Sequence, residues 1–321
     1  MTSPQKTTDE PTAAEFLRDI VAGLSLESGK KRLPSRYLYD SRGCELFEAI
    51  CESPEYYLTR TELEIMHRDA RSMAEVCGPG CRLVEFGSGA SIKTQLLIDR
   101  LREPATYIPV DISPDYLGPS VRRLHESYPE LDIRPICADF SEPFLLPASA
   151  NEKRTVIYFP GSTIGNFTRK AAAKLVGQMK QMAGPTGGLM IGIDLKKDTG
   201  LMVAAYNDAD GVTASFTRNL LTRMQRELNA ELIPQQFQHL ARYNMKKGRI
   251  EIYLCSTADQ SIKIDDHLFE IANGELINTE YSYKYSLGDV QELAAASGVA
   301  LTHAWLDEMN WFGVFFFSCA S

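Results

Sequence analysis

The stretch Leu83-Val84-Glu85-Phe86-Gly87-Ser88-Gly89-Ala90-Ser91-Ile92-Lys93-Thr94 reads as a buried strand ending in an acid, a glycine turn and a polar helix start. Such a corner can hold a nucleotide-type ligand at the edge of a parallel sheet. The acid accepts hydrogen bonds, the glycines let the backbone approach, and the first helix amides face the ligand. A dinucleotide fingerprint would carry a third glycine where Ser91 or Ile92 stands. Its absence argues against NAD and for a shorter loop with no pyrophosphate to cradle. An ordinary strand-turn-helix corner would show the same pattern, so the loop needs company to carry a function.

Three further loops supply that company. Asp111 lies roughly twenty residues past the glycines, where a carboxylate can grip two ribose hydroxyls. Asp139-Phe140 follows the next strand-like run and sets an acceptor for an adenine amino group beside a ring that can pack on the base. Pro160-Gly-Ser-Thr-Ile-Gly-Asn166 follows the fourth run. Lys93, in the first helical turn, could meet a methionyl carboxylate or stand in solvent. No Walker lysine-serine pair is present, and the four loops together fit S-adenosylmethionine better than NAD or ATP.

The elements that must position these groups alternate from residue 82 onward. Strands are expected over 82–86, 106–111, 132–138, 155–159 and 188–194, with helices over 92–102, 114–128 and 168–183. This is the mark of a doubly wound parallel sheet, an α/β fold whose ligands sit beyond the carboxyl ends of the strands. Before it, helical spacing of Phe16, Ile20 and Leu24, and of Leu46, Phe47 and Ile50, predicts two helices. Thr59-Arg60-Thr61-Glu62 has the capping-box form ahead of a third, running to about Val76. After residue 196 the rhythm stops. A long helix is expected over 207–232. Hairpin signals follow at Lys246-Lys247-Gly248 and at Asn273-Gly274, the second joining 268–272 to 275–278. A helix over 286–296 and strands over 301–306 and 312–318 return to the main sheet. The simplest architecture is one sheet with a large insertion, about 197–285, packed with the N-terminal helices.

Bulk properties narrow the function. The chain has 321 residues and a net charge of −8, with a pI near 5.3, so nucleic acid and anionic membrane are unfavourable partners. No apolar run has the length of a membrane span. Residues 1–12 are polar, lack a signal core and are expected to be a loose tail. The seven cysteines, odd in number and without a leader, suggest reduced thiols and a cytoplasmic protein. Cys77-Gly-Pro-Gly-Cys81 has the wrong spacer for a redox pair, and no Cys/His set has zinc spacing, so no metal is expected.

The motifs Glu85-Phe-Gly-Ser-Gly-Ala-Ser-Ile-Lys-Thr94, Pro160-Gly-Ser-Thr-Ile-Gly-Asn166, Asp194-Leu-Lys-Lys-Asp-Thr-Gly200 and Ala205-Tyr-Asn-Asp-Ala-Asp-Gly-Val-Thr213 closely resemble the histidine-specific N-methyltransferases of ergothioneine biosynthesis. Tyr37-Leu-Tyr-Asp40 and Pro54-Glu-Tyr-Tyr57 match as well. The resemblance implies a Rossmann-like class I methyltransferase sheet with an inserted α+β substrate-binding domain. That domain would comprise 13–60 and 197–285, and the S-adenosylmethionine domain 61–196 and 286–321. It implies trimethylation of the α-amino group of L-histidine to hercynine, releasing S-adenosylhomocysteine. The family's cofactor residues fall on Gly87, Lys93, Asp111, Asp139 and Phe140. Its amino-acid-binding residues fall on Tyr56, Asn166 and Tyr206, with Tyr56 and Asn166 nearest the chemistry. Its imidazole-side residues fall on Tyr39, Glu280 and Ser282.

Two local features bear on the substrate. In Asn278-Thr-Glu-Tyr-Ser-Tyr-Lys-Tyr285, alternation puts Glu280, Ser282 and Lys284 on one strand face and three tyrosines on the other. That face is either solvated or, under the resemblance, recognises the two ring nitrogens of imidazole. Ile252 stands where methionine is expected in the imidazole wall, and its β-branched side chain is stiffer. Glu280 keeps histidine the favoured substrate, while an N-methyltransferase for another amino acid, such as tryptophan or a derivative, remains open. No heptad or apolar stripe calls for a dimer, so a monomer is expected.

Overall fold

A computed structural model describes residues 5–6, 12–89, 92–142, 144–148 and 154–320. Ala90 and Ser91 of the glycine loop, and most of the expected N-terminal tail, lie outside the described residues. The chain begins with β1 (Gln5–Lys6), α1 (Ala13–Leu24), α2 (Ser41–Glu52) and α3 (Tyr57–Cys77). The alternating part runs β2 (Cys81–Phe86), α4 (Ile92–Ile98), β3 (Thr106–Asp111), α5 (Pro114–Ser127), β4 (Ile136–Cys137), β5 (Arg154–Phe159), α6 (Arg169–Ala183) and β6 (Gly188–Asp194). Next come α7 (Thr199–Ala204), α8 (Val212–Leu228), β7 (Phe237–Asn244), β8 (Arg249–Ser256), β9 (Gln260–Ile264), β10 (His267–Ile271) and β11 (Leu276–Tyr283). The last elements are α9 (Leu287–Ser297), β12 (Ala300–Leu306) and β13 (Phe312–Ser318). The chain divides into two compact units, one built on Leu58–Lys196 and the segment 283–320 with β1, the other on 12–57 and 197–282.

The first unit holds one sheet in the order β1-β4-β3-β2-β5-β6-β13-β12. Pairings from β1 to β6 are parallel, and β13 and β12 are antiparallel. β2 and β6 are buried along their whole length, as strands covered on both faces must be. The chain leaves β2 in one direction towards β3 and β4, and later resumes on its other side with β5 and β6. The loops after β2 and β5 therefore diverge at a topological switch point, where open α/β sheets bind ligands.

Several expectations are corrected here. The third strand shrinks from 132–138 to Ile136–Cys137, with only an isolated bridge at Ile133. Pro135 between them has no N–H to give the ladder. Gln5–Lys6 pairs in parallel with Ile136–Cys137, so that part of the tail is a strand. The fourth helix stops at Ile98 instead of 102. The third helix starts at Tyr57, two residues before the expected cap. Thr59 is thus inside the helix, and Glu62 falls in its buried stripe with Leu58, Ile65 and Met66.

In the second unit, the Lys246-Lys247-Gly248 turn joins β7 and β8, paired antiparallel from Asn244↔Arg249 to Phe237↔Ser256. The expected long helix over 207–232 is α8 alone. Asp208 accepts the amides of Val212 (2.6 Å) and Thr213 (2.8 Å) at its start, and left-handed Asn229 ends it. The expected hairpin from 268 to 278 does not form. The Asn273-Gly274 turn exists, with Glu275 N–H donating to Ala272 at 3.0 Å. It leads the chain out of one sheet and into another: β10 pairs with β9, and β11 lies beside β8.

Candidate active site

Along the carboxyl edge of the first unit's sheet, the glycine turn after β2 is built on backbone that only glycine takes easily, with φ +74° at Gly87 and +47° at Gly89. Asp111, ending β3, holds it. One carboxylate oxygen accepts Gly89 N–H at 3.1 Å and the other accepts Ser113 N–H at 3.0 Å. Burial raises the Asp111 pKa from the usual carboxylate range, partly offset by these amides. Phe140 stacks on Phe86, ring centroids 5.6 Å apart at 22°, and a Cβ on Gly87 would meet it at 3.7 Å. Asp139 accepts from its own turn, Ser141 N–H at 2.9 Å and Ser141 hydroxyl at 2.6 Å.

Glu85 points inward instead. It accepts the hydroxyls of Thr94 and Tyr107, which ties the first turn of α4 to β3 beneath the glycine loop. Burial pushes its carboxyl up to about 8, against the opposing pull of those hydroxyls and of Lys93.

Lys93 is neither solvated nor alone. It pairs with Glu62, a carboxylate with no side-chain exposure. Glu62 also accepts Gly161 N–H, at 2.9 and 3.2 Å to its two oxygens. Gly161 has φ +73°, and Asn166 ends the short helix of that loop, half-buried. The same unit contains a second buried pair, Lys284 with Asp194 at 2.6 Å. Both side chains are fully buried, so Lys284 is not on a solvated face.

In the second unit, Tyr39, Phe47, Tyr56, Tyr206 and Phe216 form a continuous aromatic cluster. Tyr39 meets Phe216 at 5.5 Å, Phe47 meets Tyr56 at 6.3 Å, and Tyr56 meets Tyr206 at 6.0 Å, all edge-on. Tyr206 and Ser282 share a buried hydrogen bond of 2.9 Å. Burial raises both the Tyr39 and Tyr56 phenols well above their usual range, with the Glu280 charge adding most to Tyr39 and Tyr206 most to Tyr56. Tyr39 and Tyr56 therefore keep their phenolic protons, and Glu280 is near enough to be felt by both rings. Ile252 is buried in β8, and Asn278 Nδ2 donates to its carbonyl at 2.9 Å and to that of Glu280 at 3.1 Å. Asn278 thus fixes the backbone that carries Glu280 against the strand that carries Ile252.

Sequence reasoning missed Glu62, Lys284, Asn278 and His239, whose Nε2 lies 2.7 Å from the Tyr206 carbonyl. Only Glu62 left a trace in the sequence, as a carboxylate inside an apolar helical stripe. Among the described residues, no group of His, Cys, Asp and Glu is arranged to hold a metal, and no helix is long and apolar enough to cross a membrane.

Comparison with known proteins converges on one family. A family model described as histidine-specific methyltransferase, SAM-dependent, matches residues 16–319. Histidine N-alpha-methyltransferase of Mycolicibacterium smegmatis is 37% identical over 309 residues, covering 94% of this chain and 95% of that one. The protein of the same name from Mycobacterium tuberculosis is 36% identical over 302 residues, 92% of each. Ergothioneine biosynthesis protein 1 of Neurospora crassa is 28% identical over 297 residues, 89% of this chain and 33% of that protein. This chain belongs to the family of histidine-specific, S-adenosylmethionine-dependent methyltransferases.

Proposed function

We propose that this protein transfers three methyl groups from S-adenosylmethionine to the α-amino nitrogen of L-histidine, giving hercynine and S-adenosylhomocysteine in ergothioneine biosynthesis. The cofactor residues lie in the first unit, together with Asn166, and the other amino-acid-binding residues lie in the second. The observation that carries the reading is the strand order β4-β3-β2-β5. It sets Asp139 with Phe140, then Asp111, then the Gly87 turn, then Gly161 with Lys93 in a row. That is the order of adenine, ribose, thioether and amino-acid end in S-adenosylmethionine. The groups also match in chemistry: carboxylates for the amine and hydroxyls, bare glycine backbone for close approach, an ammonium for a carboxylate. The names of the relatives support histidine as the acceptor.

Bound S-adenosylmethionine supplies an electrophilic methyl on a sulfonium. In-line displacement needs positioning more than a base. The attacking amine must be neutral, and a free α-amino group has a pKa of about 8. In the first two transfers Asn166 accepts an N–H of that amine and aims its lone pair, and each ammonium formed gives its proton to solvent before the next transfer; the neutral dimethylated amine of the third has no N–H left to offer. As a neutral amide Asn166 leaves no fixed charge to trap the cationic product. Tyr56, with its phenol pKa raised by burial, is a donor to the substrate carboxylate and not a general base. Tyr206, joined to Ser282, orients the same end of the substrate. Glu280 accepts from one imidazole N–H, Ser282 and Tyr39 serve the other ring side, and Ile252 forms the apolar wall. The reading includes a monomer in the cytoplasm, in keeping with a net charge of −8 that disfavours nucleic acid and anionic membranes.

The test is mass spectrometry of L-histidine incubated with purified protein and S-adenosylmethionine, with tryptophan and tyrosine in parallel. Three methyl additions to histidine alone are expected. Methylation of tryptophan in preference to histidine would reassign the pocket around Ile252 and keep the cofactor site. No methylation of any amino acid would overturn the reading.

A further inference from the structure

Glu62 has an environment that folding alone does not call for. A fully buried carboxylate costs several kcal/mol unless it is well paired, and replacing a buried ion pair as a whole by apolar side chains of similar volume is often neutral or stabilising. Yet several elements of the first unit are shaped around it. α3 supplies the residue within an apolar stripe. α4 supplies Lys93. The loop after β5 supplies Gly161 N–H, and β5 supplies the Tyr158 hydroxyl at 3.4 Å. β6 makes room with Gly192, where a Cβ would lie 2.3 Å from Glu62 Oε1. A glycine in mid-strand weakens the strand, so this room also has a cost.

We propose that Glu62 is a positioning residue that aims Lys93 at the amino-acid end of the cofactor, and this rests on the S-adenosylmethionine reading above. A lysine ammonium sits on a flexible four-carbon stem and is free to point into solvent. Glu62 holds it at 18% side-chain exposure, with Nζ 3.9 Å from where a Gly161 Cβ would stand. An ammonium has three donors. The bond to Glu62 uses one and orients the others. The same carboxylate anchors the Gly161 amide, so Lys93 and the Gly161 backbone are set as one piece. Glutamine at position 62 has only one acceptor oxygen. Lys93 and Gly161 N–H both reach Oε2, so a glutamine oxygen set there can still accept from them, but the charge that holds the ammonium is gone and the NH₂ stands in the Oε1 place, 3.2 Å from Gly161 N, donor against donor.

The test compares two ligands by calorimetry. S-adenosylhomocysteine carries the amino-acid end; 5′-methylthioadenosine shares the adenosine and thioether but lacks it. Glu62→Gln is expected to weaken S-adenosylhomocysteine by about tenfold or more, the effect of misplacing one charge-assisted hydrogen bond. Methylthioadenosine affinity should stay within about twofold, since no such bond is made to it. Equal loss for both ligands would make Glu62 a merely structural residue, and no loss for either would overturn the proposal. Failure of the unaltered protein to bind S-adenosylhomocysteine at all would instead overturn the cofactor reading. If Glu62→Gln does not fold, Lys93→Met takes its place. The same selective loss is then required, and an unchanged ratio of the two affinities sinks the proposal.

Discussion

The Tyr206 hydroxyl lies 2.9 Å from the Ser282 hydroxyl, joining positions 76 residues apart in the chain. Each hydroxyl has one proton and can accept as well as donate. One of the pair donates to the other, and either can take the donor's part. Two residues before Ser282 on the same strand, Glu280 has no such freedom: ionised, it only accepts.

That contrast makes Glu280 the sharper probe of substrate recognition. Glu280→Ala should weaken histidine binding by roughly 10- to 100-fold, the range for a hydrogen bond to a charged group. S-adenosylhomocysteine affinity should be unchanged. Calorimetry with each ligand checks both halves, and equal losses would remove Glu280 from the imidazole.

Asp111→Ala should act in the opposite sense. Cofactor affinity should fall by about tenfold or more as two ribose hydroxyls lose a charged acceptor. The variant also frees the amides of Gly89 and Ser113, so a modest fall in melting temperature is expected with it. Unaltered S-adenosylhomocysteine affinity would place the ribose elsewhere.

Glu85 predicts a pH dependence of stability. Its carboxyl rises from 4.5 to about 8 on folding, chiefly through burial, so the folded state binds the extra proton. The stabilising contribution is complete below the unfolded value and is lost as pH rises through the folded one. Stability should therefore fall between pH 4.5 and about 8 by up to roughly 1.4 kcal/mol per pH unit from this group. Glu85→Gln should flatten that part of the curve in urea titrations at a series of pH values. An identical slope in the variant would show that Glu85 is ionised throughout.

Lys284 and Asp194 predict a large and asymmetric cost. Lys284→Met leaves Asp194 buried without its counter-charge and should destabilise by about 3–5 kcal/mol. Replacing both, with Asp194→Leu added, should recover much of that loss. Urea unfolding of the two variants measures it. A single variant as stable as the unaltered protein would mean that water reaches Asp194.

The alternation of strands and helices after residue 82, the acids at the strand ends and the turn at Lys246-Lys247-Gly248 were legible in the sequence because they rest on local causes. Hydrophobic period and turn chemistry are set by residues a few positions apart. The motifs from Tyr37 to Asn166 and on to Thr213 pointed to the family for the same reason: each is a short run. What lay beyond the sequence was the choice among distant partners. Thr59-Arg60-Thr61-Glu62 has the form of a cap, yet Glu62 is drawn into the core by Lys93 and Gly161, 31 and 99 residues away. Asn273-Gly274 does make a turn, but whether β10 pairs forward with β11 or back with β9 depends on β8 offering β11 a better neighbour. Lys284 alternates as an exposed residue would and is buried because Asp194 is there to meet it. A buried charge is stable only beside its counter-charge, and that pairing exists only after the chain has brought the two together.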